Sequence, residues 1–352
     1  MAHDEALVAR VLGEAREAVR GELERLFAER RRTGYGPLYD VLADYPFREG
    51  KGLRPAICFA ACRGVGGTTA QALRTATALE LFHNAFLTHD DVEDVSEFRR
   101  GGATLFQEHG VPAAINAGDA TNVLALGMLL DNVASLGVRK ALLLLREVER
   151  MARESVEGQA MELAWIRREV FDLTDDDYVR MAYKKTCWYT VIAPLRLGVI
   201  CGAPPGPDAP LDDELLSLLE LGHFAGIAFQ ICDDLLNLEG DPALYGKEQG
   251  GDLWEGKRTV MLVHFVRTAP DADRTRALDL LRTPRPLKRA DEVRWLRERM
   301  IEHGSLAYGR GVAEAFYARA LAVDRALGPP FVENDDRRFL REMLRYVIDR
   351  IK

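Results

Sequence analysis

LFHNAFLTHDDVEDVSEFRRG, residues 81–101, changes character half-way along. Its first part is apolar at helical spacing. Leu79, Phe82 and Phe86 fall on one face, and Leu81 and Ala85 widen the stripe. The same face then runs into Asp90 and Asp94, with Asp91 beside them. Like charges four residues apart on a helix repel, and aspartate is a poor residue for a helix interior. A divalent cation would offset that cost.

The pattern recurs in residues 221–239, LGHFAGIAFQICDDLLNLE, another apolar helical run that ends in Asp233 and Asp234. Asn237 stands where a third carboxylate would fall. Two such helices facing each other would surround a shared space with hard oxygen ligands. Mg²⁺ suits that donor set, because it takes a few carboxylates, keeps waters and completes its shell with phosphate oxygens.

A chain with 55 acidic residues makes aspartate pairs by chance. Asp175–Asp177 follow Thr174, Asp212–Asp213 follow Pro210 and Asp335–Asp336 follow Asn334, all where a helix is expected to start. Capping and the helix dipole account for those three. The pairs at 90–91 and 233–234 lie at the far ends of apolar runs, where capping offers no explanation.

Leu, Ala, Arg and Glu dominate the 352 residues, and alternating β-branched runs are scarce. An all-α fold follows. Neither a linker nor a short repeat divides the chain, so residues 1–352 are expected to form a single domain, a helical bundle around a central cavity. Residues 1–33 form an N-terminal amphipathic helix without the features of a signal peptide. No apolar run reaches the length needed to span a bilayer, and a cytoplasmic protein without a membrane span is expected. Cys58, Cys62, Cys187, Cys201 and Cys232 are scattered and read as buried, reduced thiols. A net charge of −8 argues against nucleic acid as a partner, so an anionic substrate must find local cations or bring a metal.

Local cations are present. GKGLRP, residues 50–55, puts Lys51 and Arg54 at a helix start, where free N–H groups also favour an anion. His83 lies two turns before Asp90. Arg99 and Arg100 follow the first acidic helix and, being adjacent, point to different sides. Lys184, Lys185 and Thr186 interrupt an otherwise apolar helix over 181–201, at a cost unless they meet an anion. GKEQGGDLWEGKRT, residues 246–259, lacks nucleotide P-loop spacing. With Lys247 and Lys257 among its glycines it reads as a lid over phosphate.

Taken in order, these segments resemble the trans-isoprenyl diphosphate synthases of the polyprenyl synthetase family, over roughly residues 50–259, and most of all its short-chain geranylgeranyl and farnesyl members. The resemblance implies that Asp90, Asp91, Asp94, Asp233 and Asp234 bind three Mg²⁺ ions holding an allylic diphosphate. It assigns isopentenyl diphosphate to Lys51, Arg54, His83 and Arg100, and the allylic diphosphate to Arg99, Lys185, Lys247 and Lys257. Thr186 and Gln230 match residues near the reacting carbons. A homodimer is the usual assembly. The chain departs from the family at Asn237, whose amide oxygen could still serve a metal-bound water, at Gly52 and Glu49 in the GGKRxRP motif, and at Ala103 and Phe106.

The implied reaction is a Mg²⁺-dependent head-to-tail condensation. At about 1.5 Å per helical residue, Phe86 lies roughly 6 Å below Asp90 and Phe82 roughly 12 Å below. Phe86 would narrow the wall of the prenyl channel, Ala85 would leave room beside it, and Phe82 would form the floor. A C20 product is expected ahead of C15. Two rival readings remain at this stage. A terpene cyclase on the same fold would need no second diphosphate site, and a non-catalytic partner subunit could tolerate the loss of a carboxylate at 237.

Overall fold

Asp4 opens the first helix, where its carboxylate accepts the Leu7 backbone N–H at 3.0 Å and Glu5 adds negative charge to the first turn. This helix, α1 (Glu5–Thr33), buries Leu7, Val8, Val11, Ala15, Val19, Leu23 and Phe27. That spacing is the single apolar face expected from the sequence. The computed structural model describes residues 4–48, 50–204, 212–240, 249–328, 331 and 333–349, nearly all of them helical. Glu49 and Lys247 lie outside the described residues.

Contacts gather the chain into two units. The first comprises residues 1–151, 189–220 and 324–343. Along it run α2 (Gly36–Phe47), α3 (Leu53–Gly64), α4 (Thr69–Glu93), the two-residue strands β1 (Phe98–Arg99) and β2 (Gly102–Ala103), α5 (Leu105–His109), α6 (Val111–Leu130) and α7 (Asn132–Leu136). The strands pair antiparallel, with Phe98 opposite Ala103. The first half of α8 (Val138–Arg167) belongs here, and the rest of that helix to the second unit.

The second unit comprises residues 152–188, 221–323 and 344–352. It includes α9 (Asp175–Ala182) and most of a π-helix over Tyr183–Ile192. Helix α10 (Ala193–Gly202) returns the chain to the first unit, and α11 (Asp212–Glu239) ends in the second. There follow α12 (Gly251–Glu255), α13 (Val260–Thr268), α14 (Asp271–Arg282), a 3₁₀ turn at Arg285–Leu287, α15 (Ala290–Glu302) and α16 (Ser305–Ala326). The last helix is α17 (Asp335–Asp349).

Small residues set the tightest packing. A Cβ on Gly198 would lie 2.3 Å from the Cys58 carbonyl, and one on Gly202 would lie 2.3 Å from the Cys62 carbonyl. Helices α3 and α10 therefore meet backbone to backbone, which accounts for small residues along the face of α3. All five cysteines are buried and unbridged. In the second unit, a Cβ on Gly158 would lie 2.2 Å from the Lys185 backbone nitrogen, so α8 runs directly against the π-helix there. The sequence predicts an ordinary α-helix over 181–201. Pro194 lies just beyond the π turns, at a point where a regular helix needs an N–H and would clash with the carbonyl four residues back.

The acidic runs assigned to capping behave accordingly. Thr174 and Asp177 form a reciprocal capping box, Asn334 accepts the Arg337 N–H at 2.9 Å, and Asp212 opens α11. One expectation needs correction. Val111–Leu136 and Leu215–Glu239 are long and apolar enough to cross a bilayer by length and composition. The second stretch is 61% buried within the protein, as a core helix would be.

Candidate active site

In the first unit, α4 delivers its three aspartates to different surroundings. Asp90 is a quarter exposed, Asp94 is the C-cap and nearly buried, and Asp91 is 1% exposed. The Asp91 carboxylate accepts the Tyr45 hydroxyl at 2.6 Å and Arg99 Nε at 2.9 Å, and Arg99 Nη2 closes a bidentate pair. Tyr45 also accepts the Leu105 N–H at 3.1 Å. Two expectations change as a result. Asp91 is turned inward and committed to these donors, and does not stand on the open face as a metal ligand. Arg99 is committed to Asp91, with Asp90 3.6 Å from its Nη2, and is not open to an allylic diphosphate on that edge. The strong attraction of Asp91 and Asp90 holds the Arg99 guanidinium firmly protonated despite its burial.

Of the residues expected at isopentenyl diphosphate, Arg54, His83 and Arg100 lie close together. Arg100 takes φ +50°, a conformation that costs a residue with a side chain about 1 kcal/mol, and Gly101 continues the turn at φ +77°. This turn brings Arg100 Nη1 to 3.0 Å from the Tyr45 carbonyl and Nη2 to 3.4 Å from His83 Nε2. Guanidinium can only donate, so Nε2 must accept and the His83 proton sits on Nδ1. That buried Nδ1 has no partner, and neither does Arg54 Nε. Burial first, then Arg54, Arg100 and Arg99, push the His83 imidazole well below its ordinary range, so it stays neutral. Burial likewise lowers Arg100, with Glu80 opposing. Lys51 is exposed. Gly52 sits at φ +64°, and a Cβ there would lie 2.4 Å from Arg16 Cγ of α1, so the side chain usual in the family motif has no room.

On the stripe below Asp90, the Phe82 and Phe86 rings are 6.5 Å apart. Phe82 is 5% exposed, and Ala85 is fully buried. Tyr189 meets Phe86 edge-on at 5.6 Å.

In the second unit, the π-helix and α11 share one network. Thr186 donates to Gln230 Oε1, Gln230 Nε2 donates to Asp234 Oδ1 at 2.6 Å, and the Tyr178 hydroxyl donates to Asp234 Oδ2 at 2.8 Å. Lys185 is paired with Glu162. Burial pushes the Asp234 carboxyl up to about 7, with Asp233 and Glu162 adding to the rise and the two hydrogen bonds opposing it. Asn237 differs from expectation: its side-chain oxygen accepts the Asp252 N–H at 3.0 Å and its carbonyl accepts the Gly250 N–H at 2.8 Å. It fastens α12, which commits one of the two lone pairs of that oxygen. Lys288 donates to the Leu253 and Trp254 carbonyls at the other end of α12, and Lys257 pairs with Glu255 at 2.6 Å. The described part of the glycine-rich segment is therefore anchored, where the sequence suggests a loose lid.

Among the described residues, no three acidic, histidine or cysteine side chains converge to hold a metal ion by themselves. The donor chemistry still fits Mg²⁺. Burial, with the charge of Asp233 adding to it, raises Asp234, a cost that a hard dication relieves, and Mg²⁺ needs only one or two carboxylates when phosphates and waters complete its shell. Tyr45, Glu162, Tyr178, Tyr189 and Lys288 have no sequence signal of their own. Tyr45 could be read only as part of the Tyr-Pro break before α3.

The family model described as polyprenyl synthetase matches residues 37–300. A short chain isoprenyl diphosphate synthase of Methanothermobacter thermautotrophicus is 34% identical over 232 residues, 66% of this chain and 68% of that one. Other relatives are named geranylfarnesyl diphosphate synthase, at 30% identity, and octaprenyl diphosphate synthase, at 34%. The crystal structure of geranylgeranyl pyrophosphate synthetase from Pyrococcus horikoshii superposes with TM-score 0.82 at 27% identity, covering 98% of each chain. That of a polyprenyl synthase from Caulobacter crescentus, complexed with calcium and isoprenyl diphosphate, gives 0.81 at 26%, again covering 98% of each. With its all-α fold and its two aspartate-tipped helices, the chain belongs to the polyprenyl synthetase family and is a prenyltransferase.

Proposed function

We propose that the protein is a Mg²⁺-dependent head-to-tail prenyltransferase that joins isopentenyl diphosphate to an allylic diphosphate, giving a C20 product ahead of C15. The Arg54–His83–Arg100 cluster carries this reading. It gathers two guanidiniums and a neutral histidine, and leaves Arg54 Nε–H and His83 Nδ1–H buried without acceptors. A buried donor without an acceptor costs about 1–3 kcal/mol, and a diphosphate supplies the missing oxygens. A cyclase has no use for this second anion site.

In this reading Lys51, Arg54, His83 and Arg100 orient isopentenyl diphosphate. Asp90 and Asp94 in the first unit, and Asp233 and Asp234 in the second, would hold Mg²⁺, which when bound neutralises charge gathering on the leaving diphosphate. Lys185, Lys247 and Lys257 contact the allylic diphosphate, and Arg99 keeps Asp91 folded away behind Asp90. Phe82 and Phe86 keep water from the allylic cation. The Thr186 hydroxyl donates a hydrogen bond to Gln230 Oε1, so its own oxygen lone pairs remain to face positive charge. The proton lost on forming the new double bond goes to the departing pyrophosphate. The protein acts as a homodimer, a reading supported by Ile115, Val123, Leu126 and Leu130, which stand exposed along one face of α6.

The test is purified protein with Mg²⁺, labelled isopentenyl diphosphate and C5, C10 and C15 allylic primers. A C20 diphosphate is expected. Absence of any elongation, or release of hydrocarbon from a C20 diphosphate alone, overturns the reading.

A further inference from the structure

The Arg54 guanidinium is held in two ways by neighbouring residues of the π-helix. Its carbon lies 4.3 Å from the centre of the Tyr189 ring, and its Nη2 donates to Thr190 Oγ1 at 2.9 Å. A ring face fixes the plane of a guanidinium, and a single acceptor fixes its rotation within that plane. Together they leave the Nε–H, which has no acceptor, at a set position and angle. Tyr189 is itself braced, with His83 stacked at 6.0 Å and 28° and Phe86 against its edge at 88°. Thr190 is fully buried. Arg54 is 9% exposed, so this frame surrounds it almost completely.

We propose that Tyr189 and Thr190 are positioning residues for isopentenyl diphosphate, acting through Arg54: the Tyr189 ring sets the plane of the guanidinium and the Thr190 hydroxyl its rotation, so that its free edge meets the diphosphate. The inference rests on the diphosphate reading of the Arg54 cluster. Neither residue touches the anion. The tyrosine acts through its ring face, and its hydroxyl is dispensable.

Calorimetric binding of isopentenyl diphosphate without Mg²⁺ tests this on the wild type, Tyr189→Phe, Tyr189→Leu and Thr190→Val. The Thr190 substitution is nearly isosteric and keeps the test open should Tyr189→Leu fail to fold. Losing one charge-assisted hydrogen bond is expected to weaken binding about tenfold in Thr190→Val. Tyr189→Leu weakens it by a similar factor, and Tyr189→Phe stays within about twofold of wild type because the face is kept. In steady state, KM for isopentenyl diphosphate rises in the two weakened variants while KM for the allylic substrate stays put, a split that a general loss of structure would not give. A wild type that does not bind defeats the diphosphate reading itself. A wild type that binds, with Thr190→Val equal to it or Tyr189→Phe as weak as Tyr189→Leu, overturns the positioning role alone.

Discussion

The side-chain oxygen of Asn237 lies 3.0 Å from the backbone nitrogen of Asp252 and caps the short helix that follows the second acidic motif. An amide accepts this bond as a neutral group in a nearly buried position, where a carboxylate would add one more negative charge beside Asp233 and Asp234. The departure from a third aspartate is thus a structural assignment of the residue.

Asn237→Leu is therefore expected to lower stability by about 1–3 kcal/mol through loss of the cap and an orphaned N–H. The Mg²⁺ concentration giving half-maximal activity should change by no more than about twofold. Urea denaturation and a metal titration of turnover check the two halves, and a large rise in the Mg²⁺ requirement would return Asn237 to the metal.

Arg99 and Asp91 form a buried pair, so removing either partner strands the other. Arg99→Ala should cost about 3–5 kcal/mol by chemical denaturation. Asp91→Asn, which keeps one acceptor for Arg99 and Tyr45, should cost less. Equal and small losses in both would show that the pair is not closed in solution.

Phe82 sits one turn below Phe86 on the stripe leading away from Asp90. Phe82→Ala should lengthen the prenyl product, read by chromatography of the hydrolysed products, at a stability cost of about 3–5 kcal/mol. An unchanged product would remove Phe82 as the floor.

His83 is neutral in the fold, with its titration held well below the ordinary value of about 6.5. Between those two values the unfolded chain binds a proton that the native state refuses. Stability is therefore complete above about pH 6.5 and declines as pH falls below it, by up to about 1.4 kcal/mol per unit from this group. Denaturation curves of wild type and His83→Gln between pH 7.5 and 5 should diverge in that direction, and parallel curves would contradict it.

The sequence exposes what recurs at helical spacing. The apolar face of α1, the stripe through Leu79, Phe82 and Phe86, and the caps at Thr174 and Asn334 are all local patterns, and the structure has them. The cation cluster is legible as residue types in order, although Arg54 and Arg100 are far apart in the chain. Partnerships made across the fold are not legible. Nothing near Asp91 announces that Tyr45 and Arg99 will take both its oxygens, and DDLLN cannot show that its asparagine caps a helix fifteen residues on. Glu162 reads as one more charge on an amphipathic helix until Lys185 is seen beside it. Such bonds depend on which elements pack together, and a side chain's duty is settled there.

The π-helix carries Lys185 and Thr186 in the second unit and Tyr189 and Thr190 in the first, without a break in the helical path. Its wide turns absorb residues that a standard helix of the same rise could not. Deleting one residue between Thr186 and Tyr189 would swing one pair past the other by roughly a quarter turn. This segment should therefore tolerate exchange of side chains far better than any change in its length, and natural insertions or deletions should be absent from it.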